Sequence, residues 1–154
     1  MPSFRTVRRV PFSPRQMFDL VADVEKYPQF LPLCEELRVK SRAPDGTREI
    51  VIAQMTVGYM ALRESFTSRV VLDPAGLLVK AAALPGTASG PFSRLHNHWA
   101  FVAAGDGCNV DFTIDYELKS FTLQMLVGGL FDRAFRKYAE AFEARAHAIY
   151  GATA

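Results

Sequence analysis

The chain has 154 residues, 49% of them hydrophobic and 22% charged, and its 18 basic and 16 acidic residues leave a net charge of +2. That length fits one domain, residues 1–154, and the composition excludes a disordered chain while supplying apolar material for a real core. Near-balanced charge carries no nucleic-acid signature, no apolar run reaches the roughly 20 residues of a membrane span, and two distant cysteines, Cys34 and Cys108, signal neither a disulfide framework nor a four-ligand metal site.

Residues 3–10 read as an edge strand of mixed polarity. Arg5, Arg8, Arg9 and Arg15 precede the first acid, Asp19. They fit either a solvated edge or a weak, salt-dependent contact with anionic lipid headgroups. Residues 11–17 spell a helix start. Ser13 suits the N-cap, Pro14 the first helical position and Gln16 the return bond of a capping box, with Phe12 and Met17 as the hydrophobic staple. This helix runs to about Val21. Asp23 suits the cap of a second, short helix through Tyr27, and Pro28 and Pro32 bracket an apolar connector.

From Cys34 onward the chain reads as strands. Leu37 and Val39 lead to a turn at Pro44-Asp45-Gly46. Residues 50–57 are β-rich and end at Gly58. Residues 62–72 alternate until Asp73-Pro74-Ala75-Gly76, residues 77–83 follow, and residues 84–92 read as a loop. Leu95, Asn97, Trp99 and Phe101 share one strand face, with His96, His98, Ala100 and Val102 on the other. A turn at Gly105-Asp106-Gly107 opens the last strand, where Cys108, Val110, Phe112, Ile114, Tyr116 and Leu118 alternate with polar residues.

Residues 123–149 are expected to form one amphipathic helix about 40 Å long. Asp132, Arg136, Glu140, Glu143 and His147 mark its polar side. Phe131, Phe135, Tyr138, Phe142 and Ile149 mark the other. Its first half is apolar all round and needs cover from protein, ligand or lipid. Gly128-Gly129 permits a bend there. The element order predicts an α+β fold: an antiparallel sheet with helices on one face and an acidic row, Asp111, Asp115 and Glu117, on a wet face.

Three segments carry a resemblance. Tyr27-Pro28-Gln29-Phe30-Leu31-Pro32-Leu33-Cys34, then Gly90-Pro91-Phe92 with Leu95, Asn97, Trp99 and Phe101, then Ala141-Phe142-Glu143-Ala144-Arg145-Ala146 with Tyr150-Gly151 are similar, in order, to the coenzyme Q-binding family. That family belongs to the START-like, polyketide-cyclase-like superfamily. The stretch Gly86-Thr87-Ala88-Ser89 lengthens the loop before Gly90 relative to the family pattern. The resemblance implies a helix-grip fold, in which a curved antiparallel sheet wraps a long C-terminal helix and leaves an elongated cavity. It also implies a bound isoprenoid quinone, with ubiquinone as ligand and no other cofactor, delivered to respiration or synthesis. One bacterial branch is described as a ribosome-association toxin, so a large-subunit partner is the alternative.

Within that frame the expected lipid-binding set is Tyr59, Leu62, Phe66, Phe92, Leu95, Asn97, Trp99, Leu126, Val127, Leu130, Phe131 and Phe135. Aromatic contact to the ring falls to Trp99, Phe66, Phe92 and Tyr59, and donors to Asn97 or Arg94. Leu126, Val127, Leu130, Phe131 and Phe135 would line the tail channel. Leu31-Pro32-Leu33 and residues 121–127 would form an apolar lip for transient contact with a bilayer. The expected place is the cytoplasm at the inner membrane, or the matrix side in a mitochondrion. His96-Asn97-His98 lacks further metal ligands nearby, and no nucleophile motif or phosphate loop is present. Cys34 is expected to be buried and inert. A non-enzyme is therefore expected. A cyclase- or hydratase-like activity is the third reading, with Glu64 its best acid or base and Asn97 second. A structural hydrogen bond or arginine pairing is the preferred role for Glu64.

Overall fold

The structure is a computed structural model and describes residues 3–151. Seven strands, β1 (Ser3–Val10), β2 (Cys34–Asp45), β3 (Arg48–Tyr59), β4 (Leu62–Asp73), β5 (Leu78–Ala83), β6 (Phe92–Ala104) and β7 (Gly107–Leu118), form one sheet in the order β1-β7-β6-β5-β4-β3-β2. Every neighbouring pair is antiparallel. Helices α1 (Pro14–Ala22), α2 (Phe121–Arg136) and α3 (Tyr138–Tyr150) and a 3-10 helix at Val24–Gln29 complete the cover. The α+β, helix-grip architecture is thus the one expected.

The capping box forms. The Gln16 N–H donates to Ser13 Oγ at 3.0 Å, and the Ser13 N–H donates to Gln16 Oε1 at 2.9 Å. Phe12 packs its ring 4.9 Å from His147 and 5.8 Å from Tyr150, and the Tyr150 hydroxyl donates to Gln16 O, so the start of α1 is tied to the end of α3. Asp23 caps nothing with its side chain. The Tyr27 hydroxyl instead donates to the Val21 carbonyl and folds the connector back under α1.

Two expectations change, and a third is sharpened. Gly58 does not end β3, which runs on to Tyr59. Its missing side chain makes room for Glu35: a Cβ at Gly58 would stand 2.1 Å from Glu35 Oε2, while Arg63 pairs with the other oxygen of that carboxylate, Oε1, at 2.7 Å. The C-terminal helix is two helices, and the break lies at Lys137 rather than at Gly128-Gly129. Lys137 adopts φ −93° and ψ −5°, and its N–H donates to Ala134 O in a tightened turn. The N-terminal arginines are not a free basic patch. Arg5 pairs with Asp111 at 2.8 Å, Arg8 with Glu143 at 2.6 Å, Arg9 with Asp106 at 3.0 Å and Arg15 with Asp19 at 3.1 Å. Exposed pairs of this kind contribute about 0–1 kcal/mol each and fit the solvated edge, one of the two roles expected for these arginines.

The core lies between the inner sheet face and the helices. Trp99, Phe112, Tyr116 and Phe92 of β6 and β7 meet Phe131, Phe135 and Phe142 of α2 and α3, all buried. Because side chains alternate along a strand, the outer faces of β6 and β7 carry the histidines and the acidic row.

Candidate ligand cavity and its mouth

Between the sheet and the helices lies a cavity of about 80 Å³. Leu37, Ala53, Met55, Phe66, Ser68, Val70, Leu95, Asn97 and Trp99 line it from β2, β3, β4 and β6, and Phe135, Tyr138 and Phe142 from α2 and α3. Val24, Tyr27 and Leu31 close the end at the connector. Of the expected ligand set, Phe66, Leu95, Asn97, Trp99 and Phe135 stand on this wall. Tyr27, Ser68, Tyr138 and Phe142 were not anticipated. The last two follow Phe135 at i+3 and i+7, so the same helical stripe carried the signal.

Phe92 and Phe131 form a plug rather than a channel wall. Phe92 is fully buried, with ring centroids 5.1 Å from Phe66, 5.1 Å from Phe131 and 6.3 Å from Phe135. Close-packed rings at these separations are ordinary core packing. The interior is therefore far smaller than the elongated cavity that was expected. Sites for drug-sized ligands span roughly 300–1,000 Å³, and even benzene has been seated in a cavity of about 150 Å³.

Beyond the plug the molecule opens. A groove of about 660 Å³ runs between the β3–β4 turn and α2, lined by Tyr59, Met60, Ala61, Leu62, Met125, Leu126, Val127, Gly129, Leu130 and Arg133. A narrow gap bounded by Leu33, Val57, Leu62, Leu130 and Phe131 links it to the plug. Tyr59, Leu62, Leu126, Val127 and Leu130 of the expected set therefore lie at the mouth, not around the inner cavity. Its apolar lining is open to solvent: Met60 is 87% exposed, Leu126 74% and Met125 71%, and Phe121, at the start of α2, is 78% exposed. Of the expected Leu31-Pro32-Leu33 lip, Leu31 is buried at the inner cavity instead. Met60 holds a left-handed φ of 57°, a conformation that glycine normally occupies, so the turn accepts strain to present a methionine to solvent.

The polar side chains are disposed unevenly. The Asn97 amide donates one hydrogen bond to Thr113 O at 3.0 Å, and its oxygen accepts from the Trp99 indole at 2.9 Å, so Asn97 is held in place by the sheet and fixes the tryptophan. Arg94 donates to Asp115 at 2.7 Å on the outer face, which removes it from the ring-donor role. Glu64 is half-buried, is absent from the cavity wall and has no hydrogen-bond or ion-pair partner among the described residues, so the expected arginine pairing is not formed. Among the described residues no three His, Cys, Asp or Glu side chains group as metal ligands. His98 on the outer face has its pKa lowered by burial and by the charge of Lys80, with Asp111 opposing.

Burial pushes the Cys34 thiol up to about 12 and raises the Cys108 thiol as well. Both cysteines are free and buried. Thiolate is the reactive form. Titration with a disulfide-exchange reagent at pH 8 is therefore expected to show no fast thiol in the native protein and two after denaturation. A fast native thiol would contradict the burial assigned here.

Comparison with known proteins places the chain. Residues 10–143 match the family described as polyketide cyclase / dehydrase and lipid transport. The sequence is 34% identical over 152 residues to the ribosome association toxin RatA of Rickettsia prowazekii, covering 97% of this chain and 99% of that one. It is 36% identical over 118 residues to the mitochondrial coenzyme Q-binding protein coq10 of Schizosaccharomyces pombe, covering 76% and 70%. A START superfamily protein from Mycobacterium smegmatis superposes with a TM-score of 0.76 at 21% identity over 96% of this chain and 98% of that chain. The chain therefore belongs to the polyketide cyclase/dehydrase and lipid transport family, with the START-like helix-grip fold.

Proposed function

We propose that the chain binds a polyprenyl quinone of the ubiquinone type between sheet and helices and carries it to and from a bilayer without transforming it. The observation that carries this reading is the exposed apolar rim. Met60, Met125 and Leu126 line a groove whose inner side abuts the closed seam at Leu62, Leu130 and Phe131, and Phe121 adds an exposed ring at the start of the same helix. A soluble surface gains nothing from such a rim unless something apolar meets it. A lipid tail is rewarded with roughly 25 cal/mol per Å² on leaving water. The likeness to a coenzyme Q-binding protein supports the choice of ligand. The cavity wall offers no carboxylate, imidazole or amine among the described residues, which supports carriage over catalysis. Because the closed interior is small, loading requires α2 to move off the sheet and the Phe92–Phe131 plug to part.

Organic extraction of the purified protein, before and after incubation with ubiquinone, tests this by mass spectrometry. About one quinone per chain after incubation is expected. A protein that stays empty contradicts it.

A second reading, association with the large ribosomal subunit, has its own support. The likeness to RatA spans nearly the whole chain. On the outer sheet face, Arg69, Lys80, His96 and His98 line a shallow concavity of about 300 Å³. Arg69 and Lys80 make no ion pair among the described residues. Cosedimentation with large subunits that is lost on Arg69→Glu with Lys80→Glu, while quinone uptake persists, would assign the two activities to opposite faces of the sheet.

A further inference from the structure

We infer that Tyr138, with Ser68 as its second, donates the hydrogen bonds that hold the carbonyl oxygens of the bound ring. This rests on the quinone reading above and names the anchor within it. Five side chains on the wall carry a polar group: Tyr27, Ser68, Asn97, Trp99 and Tyr138. Three make hydrogen bonds inside the protein. Tyr27 donates to Val21 O, Trp99 donates to Asn97, and Asn97 donates in turn to Thr113 O.

Two remain. The Tyr138 and Ser68 hydroxyls have no hydrogen-bond partner among the described residues. The residues are only 7% and 8% exposed, yet neither hydroxyl oxygen is sealed by packing as the unpaired Tyr116 hydroxyl is, and both side chains stand on the cavity wall. Buried polar groups are nearly always paired, so each of these marks a place for a partner the chain does not provide. Their other neighbours on the wall are aliphatic or aromatic, and none can accept a hydrogen bond of ordinary strength. Burial raises the phenol pKa of Tyr138, so it stays protonated and acts as a donor. Water can serve the pair in the empty protein, since a cavity this size has room for it.

The ligand class follows from the count. Two donors in an otherwise apolar chamber beside an indole suit a flat ring with two acceptor oxygens on an apolar tail. They do not suit a hydrocarbon or a charged headgroup. Tyr138 begins α3, immediately after the Lys137 break. The anchor therefore stands on the fixed side of the break, while α2 moves to admit the ring.

The test compares two probes on the delipidated protein: decylubiquinone, which has the carbonyls, and squalene, which has none. Tyr138→Phe is expected to weaken decylubiquinone binding about tenfold, the usual value of one buried hydrogen bond. Squalene uptake and the thermal midpoint of the empty protein should not fall, because no protein hydrogen bond is lost. Ser68→Ala, a smaller change, is expected to weaken decylubiquinone binding several-fold with the same selectivity. Equal losses for both probes would make the role one of packing and overturn the inference. Unchanged decylubiquinone binding in both variants would overturn it too, with the quinone reading intact. A wild-type protein that binds neither probe removes the reading on which it rests.

Discussion

Replacing Phe142 with alanine is expected to lower the free energy of unfolding by about 3–5 kcal/mol, the range for truncating a buried aromatic ring. Phe142 is 1% exposed, and its ring centroid lies 4.8 Å from Trp99, 5.0 Å from Phe30 and 5.2 Å from Tyr27. It joins α3, the sheet and the connector at one point. It also borders the existing cavity, so the space left by the ring would merge with a void and the surroundings could collapse only in part. For a chain of this size the loss corresponds to a fall in melting midpoint of about 10 °C. Calorimetry reads it directly. A loss under about 1 kcal/mol would mean that α3 is not the element clamping the connector to the sheet.

The second large effect is expected at the rim. Met125→Asp with Leu126→Asp should leave folding intact, since both side chains are largely exposed, yet abolish binding to phosphatidylcholine vesicles. Burying a Met or Leu side chain stabilises by about 1.5–3 kcal/mol. Losing two therefore weakens the contact by about 100-fold or more. Flotation of the protein with vesicles measures this. Met60→Gly separates fold from function at the same place. Relief of the left-handed methionine should raise stability by about 1 kcal/mol, while vesicle binding falls. Undiminished vesicle binding in both variants would mean that the rim does not meet lipid.

Much of this was legible in the chain itself. The capping box at Ser13 and Gln16 is a local device, written in four consecutive residues, and it forms as read. The alternation along residues 108–118 fixed which side of β7 faces the core, because a two-residue period leaves no freedom once one face is buried. The Lys137 break was not legible, because lysine is an ordinary helix former and no Gly or Pro marks the spot, whereas Gly128-Gly129 looked like a hinge by propensity. Similarly, Phe92 and Phe131 read equally well as channel wall or as plug, since apolar pattern reports burial and not what a side chain is buried against. Asn97 read as a ring donor because no sequence signal shows that Trp99, two residues on, would take its oxygen and the Thr113 carbonyl its amide. The ion pairs of the β1 arginines were not legible because their acidic partners, Asp111, Asp106 and Glu143, lie about a hundred residues or more away in the chain.

Trp99 reports directly on whether the interior opens to admit a quinone. It is the chain's one tryptophan, it is 2% exposed, and it stands on the cavity wall. Quinones quench indole fluorescence at close range. Titrating the delipidated protein with decylubiquinone should quench Trp99 emission along a saturating curve that ends near one ligand per chain. A quench that grows only in proportion to added quinone, as it does for free tryptophan in solution, would show that the ring never reaches the interior.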